Sequence, residues 1–511
     1  MSTARSWTDL RSGAADLRAL LAFRGSGLSA QSRRRLWLGG ALVGGLTLVA
    51  VLVPAYALTQ AQRGRAGQVL ALLPSLSLGF LALASLTAIA SAGGREVVPR
   101  DQAVAFPVST TTEHLGALLL APLNVAWVLQ ALTLLGAASY AAGPRAWPLA
   151  VLPVLTWIVL ATAVAQVVGW LAEGVRRGAH GRLVFRSLTV LLVGSGAALV
   201  ATHRVTSLLD HSPTRLVLDA VLAGLGHHWW TWAGLLLGLL VTTAVAVLLG
   251  GVPARWALRR PMREELRLES GRHPARRPAA SDLAMVLRVD RAAVWRSLPL
   301  RRGLAVLAVM PGAVALAGGL EWSMLTVLPG LVASGGALLF GVNTWCLDGR
   351  GALWRESLPV SPSVVFHARV VVLLEVLLVS ATATLLLAAL RAGSPTAGEA
   401  AALLGSTVVV CVQVVDRAMR WSHARPYAVD LRSARATPAP PAVMAGYSAR
   451  LALATTLTGL VFSGLAQVGQ VGLTLAVVVT MLAWSLLRIE RSAARWADPV
   501  ERSAVVAVVT G

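Results

Sequence analysis

Gly349-Arg350-Gly351, then Arg355-Glu356, then Leu358-Pro359-Val360-Ser361 and a long apolar run form the stretch that decides how this chain is read. About 250 residues earlier, Gly94-Arg95-Glu96 and Phe106-Pro107-Val108-Ser109 lead into another long apolar run. A second echo lies upstream of each copy. Asp16-Leu17, with Leu21 four residues after the leucine, precedes Arg33-Arg34-Arg35 and an apolar segment. Asp282-Leu283, with Leu287 at the same spacing, precedes Arg301-Arg302 and another. The chain reads as one membrane unit duplicated.

Working outward from the two copies, the composition excludes a soluble globular protein. The 511 residues are 56% hydrophobic and 13% charged. Mean hydropathy is +0.69. The apolar residues fall in runs of about 20, long enough to span a bilayer as helix. Twelve such runs are expected: 36–58, 69–92, 115–142, 147–171, 187–202 and 230–252, then 304–320, 324–345, 364–390, 400–415, 451–466 and 468–487. Backbone amides in hydrocarbon must bond within their own segment, so the runs are helices. The alternation of a β-barrel is missing. The expected fold is an all-α integral membrane protein with twelve transmembrane helices. They form two pseudo-symmetric six-helix halves, each preceded by an amphipathic interfacial helix.

The formal charge of +22 is a matter of placement. With both termini inside, 39 of the 45 basic residues fall on the cytoplasmic side. The six outside are Arg63, Arg65, Arg145, Arg204, Arg215 and Arg391. That split follows the positive-inside rule and marks contact with anionic lipids. No groove-reading module is visible, so nucleic acid is not an expected partner. Every basic residue is Arg, which points to a GC-rich, bacterial source. The expected location is the bacterial inner membrane. No cleavable signal peptide is visible, and the first apolar run is long enough to stay in the membrane. Cys346 and Cys411 make neither a disulfide framework nor a metal site.

Five regions follow. Residues 1–35 hold a cytoplasmic or interfacial amphipathic helix, and 36–252 the first six-helix half. Residues 253–303 are a basic, proline-rich connector that ends in a second interfacial helix. Residues 304–487 are the second half and 488–511 a cytoplasmic tail. In the external loop 203–229, His203, His211, His227 and His228 lack a tight metal-ligand spacing.

A P-loop ATPase needs a lysine to reach the β/γ-phosphates. This chain has no lysine and no substitute glycine loop. It is therefore expected not to be an enzyme; if transport is ATP-driven, the ATPase is another polypeptide. The paired entries, together with Leu287-Arg288-Val289-Asp290 and Trp295-Arg296-Ser297-Leu298-Pro299, resemble the ABC-2 type permease family. The resemblance covers both halves through short, degenerate motifs, and it is closest to exporter permeases with two fused six-helix halves. It departs in the first half, where the loop before Pro107 is longer and no basic residue stands early in the third span. His367 and Arg369 fill that region in the second half. The resemblance implies a cytoplasmic ABC ATPase partner acting as a dimer. ATP and magnesium would bind there and no cofactor to this chain. The cargo would be a lipophilic or amphipathic molecule such as a drug, antibiotic or lipid.

The loops themselves mix both charge signs. Arg95, Glu96, Arg100 and Asp101 stand in one, and Asp348, Arg350, Arg355 and Glu356 in the other. They are expected to dock the ATPase, with Pro107 and Pro359 starting new helices. Polar residues expected inside the membrane are Asn124, Gln130, Gln166, Asn343, Glu375 and Gln413. Glu375 either contacts substrate or protons, or bonds to a neighbouring helix or an arginine such as Arg369. Trp37, Trp147, Trp230, Trp322 and Trp345 read as interface anchors. The alternative class is a proton-coupled secondary transporter of 6+6 architecture. It would need a charged relay in the core and leaves the paired lead-in helices unexplained.

Overall fold

In a computed structural model, the structure describes residues 11–20, 22, 30–56, 66–91, 108–123, 125–178, 212–260, 279–318, 320–429, 438–439 and 441–510, with scattered residues between 180 and 195. The described residues contain helices and no strand. Nine of the helices are long and apolar enough to cross a membrane. The chain divides into two compact units, Met1–Ser270 and Gly271–Gly511.

The first unit holds α1 (residues 11–20), α2 (Ala30–Tyr56), α3 (Ala66–Ala90), α4 (Thr110–Leu120), α5 (Val125–Arg176), α6 (Arg215–Leu225) and α7 (Trp229–Leu258). As one straight rod, α5 would hold Trp127 and Thr162 roughly 50 Å apart at 1.5 Å per residue. Instead Trp127 Nε1 donates to Thr162 Oγ1 at 2.8 Å. The helix breaks at Gly143, where φ is 71° and ψ −175°, and folds back on itself. Glycine alone enters that region without a steric cost, and Pro144 starts the second arm. The two arms match the expected runs 115–142 and 147–171 in part. The first run is interrupted at 121–123, where Pro122 ends α4 in a tight turn. Of the run 187–202, only a few residues are described.

The core of this unit gathers Leu73 and Phe80 from α3, Leu134, Trp157 and Ile158 from α5, and Val217 and Val221 from α6. Trp157 Nε1 donates to Ser77 O at 3.2 Å, and a Cβ on Gly169 would stand 2.9 Å from the Ala88 methyl. The small residue lets α3 and α5 approach closely.

The second unit holds α8 (Asp282–Arg296), α9 (Leu298–Gly318), α10 (Trp322–Leu325), α11 (Leu328–Leu339), α12 (Ala352–Glu356), α13 (Pro362–Ala389), α14 (Ala397–Ala424), α15 (Pro441–Val468), α16 (Val471–Ala497) and α17 (Pro499–Thr510). The expected span 324–345 is not one helix. α10 and α11 are followed by a 3₁₀ stretch, Gly341–Leu347, inside which Asn343 leaves helical geometry (φ −152°, ψ 78°). The expected 400–415 lies inside a longer helix, α14, opened by a capping box between Thr396 and Glu399.

Outward faces are apolar. Leu237, Leu240, Val241 and Leu249 on α7 are exposed, as are Leu453, Leu457 and Leu460 on α15 and Val479, Leu486 and Leu487 on α16. Surfaces of that extent are untenable in water and suit lipid. Trp37 and Trp230 are 81% and 93% exposed, as interface anchors would be. Trp345 differs: it is buried in the core, because it closes the site described next.

Candidate functional site

The Pro-Val-Ser element begins a helix in both units, and the serine rather than the proline caps it. Ser109 Oγ accepts from Thr112 N at 3.0 Å, with φ −68° and ψ 150°. Ser361 Oγ accepts from Val364 N at 3.4 Å, with φ −63° and ψ 140°. This corrects the expectation for Pro359, which lies two residues before the cap; Pro362 takes the first helical position. Pro107 lies outside the described residues. In each unit an aspartate from the lead-in helix meets the capped helix. Thr112 Oγ1 donates to Asp16 Oδ2 at 3.4 Å. In the second unit the aspartate is Asp290, not the Asp282 of the sequence echo. Asp282 is exposed at the start of α8, whose buried face is Val286, Asp290 and Val294.

Asp290 meets Arg369, two turns into α13 and fully buried. Arg369 Nε and Nη2 donate to the two Asp290 oxygens at 2.9 and 3.0 Å. Nη2 also donates to Asp348 Oδ1 at 2.9 Å, and Nη1 to the Thr344 carbonyl. Arg355 Nη1 reaches the same Asp348 oxygen at 2.6 Å. Two arginines and two aspartates thus form a neutral buried cluster. Burial pushes the Arg355 guanidinium below its ordinary range, and Asp348 beside it pulls it back up. Trp345 covers the cluster, with the Arg369 and Arg355 guanidinium carbons 5.4 and 5.6 Å from its ring centre. Its other face stacks on Trp496 at 3.8 Å.

The unwound stretch leading into this cluster has its backbone bonded from outside. Thr344 N donates to Ser422 Oγ at 2.8 Å, whose hydroxyl donates to Gly341 O at 3.2 Å. Asn343 Nδ2 donates to Tyr427 O and Pro438 O at 2.9 and 3.0 Å. Gly349, with φ +46°, then turns the chain into α12. The result is a short helix packed against α17, tied by Arg355 to Asp348, with Leu353 and Trp354 59% and 78% exposed.

The residues expected to dock a partner therefore face two ways. Asp348 and Arg355 point inward. Glu356 accepts from Arg502 Nε on α17 at 2.8 Å. Arg350 lies in the turn before α12, its side chain outside the described residues, as are Arg95, Glu96, Arg100, Asp101 and Asn124. Glu375 does not pair with Arg369. Arg291 on α8 takes it, with Nε 2.9 Å and Nη2 2.5 Å from its two oxygens, on a half-exposed face. Gln413 Oε1 accepts from Thr458 at 3.0 Å. Gln166 is buried with its Oε1 unmatched, and Gln130 is half-buried in the first arm of α5. Among the described residues no metal-binding group of His, Cys, Asp or Glu forms.

Sequence reading missed Asp290, Trp496 and Arg502 as members of this site. The signal for Asp290 was present: an acid flanked at i−4 and i+4 by Val286 and Val294 sits on a buried face and needs a cation. Trp496 and Arg502 carried no such mark. Comparison with protein-family models, characterised proteins and solved structures finds no match for this chain.

Proposed function

We propose that this chain is the membrane-spanning permease subunit of an ATP-driven exporter, with ATP and magnesium held by a separate cytoplasmic ATPase dimer. One observation carries the proposal: a similar entry is built in each unit, though its aspartate comes from a different position of the lead-in helix. In each unit a serine caps a helix after a charged loop, and an aspartate on a lead-in helix bonds into that helix. Two copies of one device flanking a basic connector support two pseudo-symmetric halves. Twelve spans result when the 47-residue candidate Gln130–Arg176 is taken as its two arms and joined by the shorter helix Gly44–Tyr56 and the run 187–202. Both termini and the connector lie in the cytoplasm of a bacterial cell, where the arginine excess meets anionic lipid. The missing P-loop lysine assigns hydrolysis to the partner. The cargo is a lipophilic or amphipathic molecule such as a drug, antibiotic or lipid.

In this reading the partner docks on the outward side of α12, on Leu353 and Trp354. The Arg369 cluster beneath makes α12, α13 and α8 move as one body when the ATPase dimer closes. Replacing Leu353 and Trp354 together by Asp should lower co-purification of a P-loop ATPase by at least about tenfold, as loss of a central aromatic anchor does. Membrane insertion should be unchanged, and the chain alone should hydrolyse no ATP. Undiminished co-purification by the double variant, or robust hydrolysis by the isolated chain, overturns the proposal.

A further inference from the structure

Helices α14, α15 and α16 gather positive charge that exceeds the acid beside it among the described residues. Arg417, Arg420 and Arg425 come from α14 and its exit, Arg450 from α15 and Arg488 from α16. One acid of the described residues stands among them. Asp416 accepts from Arg420 Nε and Nη2 at 2.8 and 2.7 Å and has Arg488 Nε 3.4 Å away. Among the described residues, five guanidiniums thus gather around one acid, and two of them reach its carboxylate. Arg425 and Arg450 both lie over the Trp421 ring, 4.5 and 5.5 Å from its centre. Tyr447 packs against that ring at 5.2 Å and is 3% exposed.

Three buried atoms in this cluster find no hydrogen-bond partner: Arg417 Nη1, Trp421 Nε1 and the Tyr447 hydroxyl. Each can donate, and two of them can only donate. A buried unmatched donor costs free energy, and so does crowding of like charges. Water would satisfy the donors but leave the charge excess. A group with several acceptor oxygens and negative charge resolves both at once.

We infer that this cluster binds the phosphate of an anionic phospholipid headgroup. Its place favours a lipid over a free anion. Arg417, Arg450 and Arg488 stand just beyond the apolar runs 400–415, 451–466 and 468–487, so all three helices bring them to one headgroup level. Trp421, partly exposed, is an amphipathic ring that suits that depth, and Tyr447 backs it from the core. The site involves none of the groups assigned above to ATPase docking, so it stands or falls independently of that role.

The test uses the full-length protein in lipid nanodiscs and in detergent, read by native mass spectrometry. Wild type should retain phosphatidylglycerol about tenfold more than phosphatidylcholine. Tyr447→Phe, which keeps the ring, and Arg417→Gln should each lower that retention several-fold. Arg391→Gln, at an exposed turn after α13, should leave it unchanged. Millimolar inorganic phosphate should not displace the lipid. Equal retention of the two lipids by wild type, retention in Tyr447→Phe equal to wild type, or ready displacement by inorganic phosphate would each overturn the lipid assignment. If Arg417→Gln fails to fold, Tyr447→Phe decides the question, since it removes one hydroxyl and no packing.

Discussion

Replacing Arg369 by Met should destabilise the second unit far more than any exposed ion-pair change. The structure sets the size. Arg369 is fully buried and neutralises Asp290, whose side chain is 2% exposed. Asp348 loses one partner but keeps Arg355 at 2.6 Å. One aspartate is therefore left buried without a cation. Such a loss typically costs about 3–5 kcal/mol, whereas removing both partners of a buried pair is often nearly neutral. The double variant Arg369→Met with Asp290→Leu should thus recover most of the loss, because the remaining Asp348–Arg355 pair is still balanced. Arg291→Met removes a pair of which both members are 40–50% exposed, and should cost about 1 kcal/mol or less. Detergent-solubilised protein can be unfolded with SDS and followed by tryptophan fluorescence, since Trp345 stacked on Trp496 reports directly on this site. If Arg369→Met behaves like Arg291→Met, or the double variant is as unstable as the single one, the cluster does not hold the loop as argued.

Other consequences are open to simpler tests. His114 is buried, with Nδ1 accepting from Trp170 Nε1 and Nε2 donating to Val247 O, so both ring nitrogens are satisfied only in the neutral form. Burial holds its pKa below the ordinary 6.5, so its contribution persists above that value and is lost as pH falls through it. Melting between pH 7.5 and 5.5 should show a loss that shrinks in His114→Leu. Gly312→Ala would put a Cβ 2.5 Å from the Thr384 carbonyl, separating α9 from α13 at about 1–3 kcal/mol. Gly234→Ala, in open space on α7, should instead stabilise by up to about 1 kcal/mol, as thermal unfolding can show. Reporter fusions after residues 62, 145, 212 and 393 should read external, and fusions within 253–281 internal. An internal signal at 62 or 393 contradicts the twelve-span arrangement.

How much of this was legible beforehand differs by the range of the interaction. The Pro-Val-Ser elements were legible as helix starts because a cap is local, but the start was read at Pro107 and Pro359, whereas the serine hydroxyls bond an amide three residues on. Glu375 bonds to a neighbouring helix, one of the alternatives its sequence offered, but the cation is Arg291, 84 residues away, and not the nearby Arg369. Residues six apart on one helix point in different directions, so proximity in sequence misled. Trp345 looked like an interface anchor because it stands at the end of an apolar run; the stacking of Trp496 from α16 buries it.

By itself the sequence determined helical class and the apolar length of the segments. Each of these depends on backbone bonding within a segment or on simple transfer of side chains out of water. Only the tertiary structure decided where helices break and which charges meet. Gly143 turns α5 back on itself because two apolar arms bury each other, and residues 341–347 unwind because Ser422 and Arg369 satisfy the freed backbone while Asn343 ties the stretch to the Tyr427 and Pro438 carbonyls. Asp290 and Arg369 lie 79 residues apart. Their meeting depends on how α8 lies across α13, a matter of packing geometry that no local pattern of residues records.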